Sequence, residues 1–192
     1  MAARSGVRYP NRMPNAVRQP WMSPEEYLTY ERTSDVRHEY VDGEVYAMVG
    51  ASRRHASVVL NLAAAIRPAA RGRGCDAYAA DVMLRVEAAN AYYYPDLVVT
   101  CDPSDDDPYI VKAPSLIVEV LSDSTEHIDR REKRASYQTI PTLREYVLVA
   151  QDERRVEVYR RQDGGWVHEI VTEGEVMLEA VGVTLSLDDV YA

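Results

Sequence analysis

The stretch 115-SLIVEVL-121 decides the reading of the fold. Apart from Glu119 its interior is apolar without alternation, the pattern of a strand covered on both faces rather than one that turns a face to water. Such a strand needs partners on either side and layers above and below. Its neighbours in the sequence supply the partners: 75-CDAYAA-80, 81-DVMLRVE-87 and 92-YYYPDLVV-99 read as strands before it, and an acidic loop from Asp102 to Asp107 leads on to it. REYVLVAQ (144–151), RRVEVYRR (154–161) and WVHEIVTE (166–173) read as strands after it, with turns at Gln151-Asp152-Glu153 and Gly164-Gly165. A last short strand near Val183 to Leu185 precedes a turn at Leu187 to Tyr191.

Helical signals stand between the strands. Ser23-Pro24-Glu25-Glu26 is a capping box with proline in the first turn, opening a helix through about Arg32. Val58, Val59, Leu62, Ala63 and Ile66 recur at helical spacing between Ser52 and about Arg71; Pro68 is expected to kink or end that helix, and Gly72 and Gly74 to stop it. Ser122 to Thr125 are cap-type residues, and Glu126 to Thr139 reads as a helix closed before Pro141. In 37-RHEYVDGEVYAMV-49 the Asp42-Gly43 pair separates two alternating runs, a hairpin signal. The expected architecture is α+β in a single domain over residues 22–192, preceded by a flexible tail at 1–21.

Composition narrows the classes. The 192 residues are 46% hydrophobic and 28% charged, enough for one sizeable core. Runs such as 58-VVLNLAAAI-66 fall far short of about 20 apolar residues, so no membrane partner is expected. The basic, proline-rich start lacks the apolar region of a secretory signal, although arginines without acids also suit a mitochondrial transit peptide. Cys75 and Cys101 have no CxxC partner and signal neither a zinc site nor a disulfide framework, which makes a reducing cytoplasm the simplest setting. There is no Phe against 14 Tyr, and the formal charge is −9, which disfavours a coat for nucleic acid held by bulk electrostatics. A locally basic cleft remains open, because Arg53, Arg54, Arg67, Arg71 and Arg73 share one segment and Arg130, Arg131, Lys133 and Arg134 another.

Glu119 carries the chemical question. An unpaired carboxylate in so apolar a strand costs several kcal/mol or neutralises itself, so a divalent cation or a basic side chain should compensate it. Asp96, which follows Pro95 at the start of a strand, could share such a cation. Mg²⁺ uses one or two carboxylates and keeps its other positions for water and phosphate oxygens, and such an ion activates water for phosphodiester hydrolysis.

Asp42-Gly43-Glu44, Ser52, His55, Pro95-Asp96, Glu119-Val120-Leu121-Ser122, Ser124-Thr125, Asp129, Lys133, Tyr137 and Glu145-Tyr146 together resemble the Uma family of putative restriction endonucleases, in the PD-(D/E)xK nuclease superfamily. The resemblance covers roughly Met22 to Tyr191. It implies a restriction-endonuclease-like mixed central β-sheet flanked by helices, and a cytoplasmic Mg²⁺-dependent endonuclease acting on DNA, with Mn²⁺ as substitute metal and a homodimer as the expected assembly. Asp96, Glu119 and the Val120 carbonyl would hold the metal. The superfamily lysine, two residues after the acid, would fall at Leu121; Lys133 on the following helix is the candidate replacement, a variation the superfamily knows. Glu39 would support the metal's water shell, His55 would stand behind the ligands, and Arg53, Arg54, Arg130 and Arg131 would take phosphates.

Each residue has a plainer reading. Asp96 suits a strand-start cap, Glu119 an ion pair with an arginine of the 53–73 helix, and Lys133 an exposed pair with Asp129 four residues earlier. Glu39 suits a water-facing hairpin residue, His55 a packed histidine, and the arginine pairs solvated faces. Two other functions stay open: a nuclease-fold binding or regulatory module without catalysis, and a metal-dependent hydrolase of RNA or small nucleotides.

Overall fold

The computed structural model describes residues 21–122 and 126–192. The expected tail apart from Trp21, and the cap-type Ser124 and Thr125, lie outside the described residues. Helix α1 (Pro24–Thr33) starts on the Ser23 capping box. The hairpin of β1 (His38–Val41) and β2 (Glu44–Ala47) turns at Asp42 and Gly43, both at positive φ, the backbone twist that two-residue hairpins prefer. Helix α2 (Arg53–Gly72) follows, then β3 (Asp76–Ala79), β4 (Met83–Val86), β5 (Ala91–Tyr93), β6 (Leu97–Thr100), β7 (Ile110–Val111) and β8 (Pro114–Leu121). A helical crossover comes next: α3 (Glu126–Ile128), a π-helical turn (Asp129–Lys133) and α4 (Arg134–Tyr137). The chain ends with β9 (Glu145–Ala150), β10 (Val156–Gln162), β11 (Gly165–Val171), β12 (Glu175–Leu178), β13 (Val183–Ser186) and the single turn α5 (Leu187–Val190).

The fold is α+β, and β8 is central to it. All eight of its residues are buried. It pairs antiparallel with β6 and parallel with β9 inside a six-stranded sheet ordered β11-β10-β9-β8-β6-β3, the mixed sheet the sequence led us to expect. A parallel neighbour needs a crossover, and the helical segment between β8 and β9 provides it. Alternation along β8 sends Leu116, Val118 and Val120 into a core beneath α2, and Ile117 and Leu121 into a second core with Tyr137 and Tyr146. Glu119 therefore faces the crossover helices. A five-stranded sheet, β2-β1-β5-β4-β7, packs with α1 around a third core, and β12 with β13 forms a small separate ladder.

Several expectations are corrected. The run 92-YYYPDLVV-99 is two strands: Pro95 has no N–H and restricts Tyr94, so the chain leaves the five-stranded sheet after Tyr93 and enters the six-stranded one at Leu97. Helix α2 runs through Pro68, because Val58, Leu62, Ile66 and Ala70 bury one face while Pro68 is exposed on the other. Its end is set further on, at Gly72 and at Gly74, whose φ is +74. The two cysteines form a disulfide, contrary to the reading of their spacing. Asp76 stands opposite Thr100 in the β3–β6 ladder, so Cys75 and Cys101 meet one step beyond it, with Cα atoms 4.2 Å apart. The argument from free cysteines to a reducing compartment falls with it.

The tyrosines now have an account. Tyr27, Tyr40, Tyr137 and Tyr146 are fully buried and take the aromatic core positions of a chain without phenylalanine. Their hydroxyls are satisfied inside: Tyr27 donates to the His38 carbonyl at 2.6 Å and Tyr146 to the Asp129 carbonyl at 3.0 Å. Among the described residues no helix is long and apolar enough to cross a membrane.

Candidate active site

Asp96 sits at the joint between the two large sheets, immediately before β6, and Glu119 lies on β8, the strand paired with β6. The register puts Leu97 opposite Val118, so the two acids become neighbours across the ladder. The Val120 N–H donates to Asp96 Oδ2 at 2.7 Å, and the Asp96 N–H donates to Glu119 Oε2 at 3.4 Å. Pro95 makes this possible by releasing Asp96 from a regular strand.

Lys133 comes down on the same face. Its Nζ lies 3.2 Å from Glu119 Oε1, 2.9 Å from Glu39 Oε1 and 3.3 Å from Asp129 Oδ1. Leu121, where the superfamily lysine was expected, packs in the second core instead. Asp129 and Lys133 are the first and last residues of the π turn, and side chains four apart on a helix are neighbours. Tyr137, four residues further, donates to Glu119 Oε1 at 2.9 Å. The Tyr93 ring lies under the ammonium, 5.7 Å from centroid to Nζ. Glu39 reaches the cluster from β1 and accepts from the Tyr94 N–H at 3.4 Å, so it is not the water-facing hairpin residue of the plainer reading. Its 5% exposure agrees.

The charges do not balance among these groups. One ammonium stands among Glu39, Glu119 and Asp129, with Asp96 beside them. Burial pushes the Glu119 carboxyl well up, and the neighbouring acids add to the push against the pull of Lys133. Burial opposes the Lys133 charge, but Glu119, Glu39 and Asp129 outweigh it and hold the ammonium protonated. His55 Nε2 lies 3.2 Å from Asp96 Oδ2, and its pKa is raised by that hydrogen bond against the opposing effect of burial. His55 Nδ1 and Asp129 Oδ1 are buried without a hydrogen-bond partner, although Asp129 keeps its ion pair with Lys133.

These side chains form the floor of a recess of about 350 Å³. Met48, Val49, Gly50, Ala51 and Ser52, in the loop before α2, make one wall, and Ser122 and Gln151 lie on its lining as well. Arg53 and Arg54 are exposed on the first turn of α2, next to the lining residues Ser52 and His55. Arg131 is exposed on the π turn, whereas Arg130 is held by Glu126 and Glu157 and is not free for a phosphate. Asp96, Glu119, Val120, Lys133, Glu39 and His55 thus come together and Arg130 does not join them. Asp129 and Tyr137 enter the site beyond the residues given a role from the sequence; their four-residue steps to and from Lys133 were the available signal.

The donor set suits a hard divalent cation in one respect and is incomplete in another. Among the described residues no three His, Cys, Asp or Glu side chains converge as a metal cage. Two carboxylates and a carbonyl nevertheless match Mg²⁺, which keeps most of its positions for water, and the surplus of negative charge here is of the sign such an ion would offset. The residues present therefore fit the group.

The comparisons with known proteins bear on the family and the fold. Residues 24–188 match the Uma2 family, described as "Putative restriction endonuclease". Two proteins of Synechocystis sp., both titled as uncharacterised, are 34% identical: slr1290 over 90% of this chain and 92% of its own length, and sll1609 over 71% and 78%. A crystal structure of a putative nuclease belonging to DUF820 from Anabaena variabilis superposes with a TM-score of 0.73 at 18% identity, covering 88% of this chain and 97% of that one. That likeness supports the nuclease-like fold alone. A match running from α1 into α5 takes in every strand and every residue of the recess, and on that ground the chain belongs to the Uma2 family of putative restriction endonucleases.

Proposed function

We propose that the protein is a Mg²⁺-dependent endonuclease that hydrolyses phosphodiester bonds in DNA, with Mn²⁺ able to replace Mg²⁺. The observation that carries the reading is the 3.2 Å approach of Lys133 Nζ to Glu119 beside Asp96, an ammonium next to two neighbouring carboxylates at the floor of a recess. Asp96, Glu119 and the Val120 carbonyl are the metal-facing groups. The bound cation would supply a more acidic water and a counter-charge for the phosphoryl oxygens.

The chain's own residues do the rest. The Val120 N–H fixes one oxygen of Asp96, and His55 holds that oxygen from the helix side. Tyr137 and Lys133 share Glu119 Oε1, which leaves Oε2 turned towards Asp96. Glu39 and Asp129 hold the ammonium, which orients the attacking water and offsets charge growing on the phosphorane-like transition state. Arg53 and Arg54 at the start of α2 take flanking phosphates. A homodimer belongs to the same proposal; the outer side of β11, seven residues long, is unpaired among the described strands.

Leu121 at the position of the superfamily lysine and the net charge of −9 favour a binding module without catalysis, and the reach of Lys133 to Glu119 weakens the first of these grounds. The test is calorimetric titration of Mn²⁺ into the wild type, Asp96→Ala and Glu119→Ala, each checked for folding, followed by a nicking assay on plasmid and on single-stranded circular DNA. Saturable binding lost in both variants, with nicking lost in parallel, supports the proposal. A folded wild type that neither binds Mn²⁺ nor nicks DNA ends it.

A further inference from the structure

We propose that the recess accepts single-stranded DNA and rejects continuous duplex, with Met48 and Val49 packing against the base beside the bond to be cut. This rests on the nuclease reading above and adds the form of the substrate to it.

Depth and size come first. The floor groups Glu119, Asp129 and Lys133 are 3%, 2% and 6% exposed, while the rim residues Met48 and Val49 are 39% and 66% exposed. Asp96, whose side chain is 24% exposed, stands higher than these groups, so a phosphate that meets it lies between the buried floor and the rim. The volume of about 350 Å³ is at the small end of the range of about 300–1,000 Å³ typical of ligand sites, suited to one nucleotide and not to the width of a duplex. A paired nucleotide would have to be extruded, at a cost of a few kcal/mol that an unpaired strand does not bear. The mouth is also bridged: Ser52 Oγ donates to Gln151 Oε1 at 2.8 Å, joining the start of α2 to the end of β9. A flexible strand can thread beside such a bridge, whereas a rigid rod cannot settle over it.

The rim has its own chemistry. Met48 and Val49 belong to none of the three cores, so burial within the fold does not explain them. The space around Gly50 is open, with nothing within 4 Å of a Cβ built there. Exposed apolar side chains above a polar floor suit the face of a base, a contact that tolerates any sequence. Charge points the same way. A duplex carries one negative charge per about 1.7 Å of axis, and the chain it would lie on is at −9. Beside the recess Arg53 and Arg54 can offset about two phosphates, which serves a short unpaired segment and not a long duplex.

One DNA sequence should be offered as a single strand, a blunt duplex and a duplex with an internal bubble. Binding is read by fluorescence anisotropy with the full-length Glu119→Gln chain, and cleavage with the wild type and Mn²⁺. The expected result is single strand and bubble bound and cut at least about tenfold better than duplex, the ratio that the first 1.4 kcal/mol of the unpairing cost would give. The salt slope for the single strand should be shallow, about −1.4 for two phosphates. Val49→Asp should raise the KM for the single strand about fivefold, the loss of one weak stacking contact. Equal binding and cutting of duplex and single strand would overturn the substrate form and leave the nuclease reading intact. No cutting of any substrate, with no Mn²⁺ binding by calorimetry, would remove the nuclease reading and this inference together. If Mn²⁺ binds and nothing is cut, the anisotropy ratio decides alone.

Discussion

The Lys133 ammonium lies 3.2 Å from the Glu119 carboxylate in a place where neither side chain is a tenth exposed. Glu39 and Asp129 share the same Nζ, so one cation serves three buried acids. Lys133→Met would leave all three without it. Removing one partner of a buried pair costs about 3–5 kcal/mol, and a loss of that size is expected in urea unfolding at pH 7, together with loss of nicking. A methionine variant as stable as the wild type would show that the ammonium does not hold the crossover helices to β8.

The Cys75–Cys101 bridge closes a loop across the β3–β6 ladder, with a separation of 26 residues. Bridges over loops of this order stabilise by about 2–4 kcal/mol, mainly by restricting the unfolded chain. The double variant Cys75→Ser/Cys101→Ser should lose that amount, and dithiothreitol should lower the urea midpoint of the wild type but not of the variant. Identical midpoints with and without reductant in the wild type would count against a bridge.

Glu157 is buried among Arg130, Arg155 and His168. Burial raises its pKa, but hydrogen bonds from Arg130 and Arg155 outweigh that and hold it below the usual glutamate value. A depressed folded value means the stabilisation is present above the unfolded pKa, about 4.3, and fades as pH falls through the folded value. Glu157→Gln should be less stable at pH 7 and lose less on acidification below about pH 4.3 than the wild type. Parallel pH–stability curves would refute the assignment.

Pro68 sits inside α2 without a hydrogen-bond donor, on an exposed position. Proline in a helix interior is about 3 kcal/mol worse than alanine, so Pro68→Ala should stabilise by about 1–3 kcal/mol, read as a higher thermal midpoint. A neutral or lower midpoint would mean that the helix is bent to suit the proline.

Local signals in the sequence carried far. The Asp42-Gly43 turn, the Ser23 cap and the apolar run of β8 are properties of adjacent residues, and each appears where neighbouring chemistry dictates. The misreadings share a different origin. Whether Tyr94 continues a strand depends on which sheet receives Leu97; whether Cys75 meets Cys101 depends on the β3–β6 register; whether α2 survives Pro68 depends on what lies beneath Ile66 and Ala70. Those are long-range facts, invisible in a window of a few residues. The site divides in the same way. Asp96 and Glu119 stood out because acids in apolar surroundings demand a partner. The burial of Glu39, the ion pair of Arg130 with Glu157 and the wall from Met48 to Ser52 needed the packed chain.

The π turn at Asp129–Lys133 makes the site sensitive to counting. An α-helix advances about 100° per residue, and a π turn is a helix with one residue to spare. Deleting a single residue between Asp129 and Lys133 would restore ordinary helical phase and leave the local composition nearly unchanged. Lys133 would then follow Asp129 by three residues instead of four and stand about 1.5 Å nearer to it along the axis, while the helix beyond keeps its phase. The spare residue thus sets the spacing between Asp129 and Lys133, a property of the segment's length and not of the identities of Arg131 and Glu132.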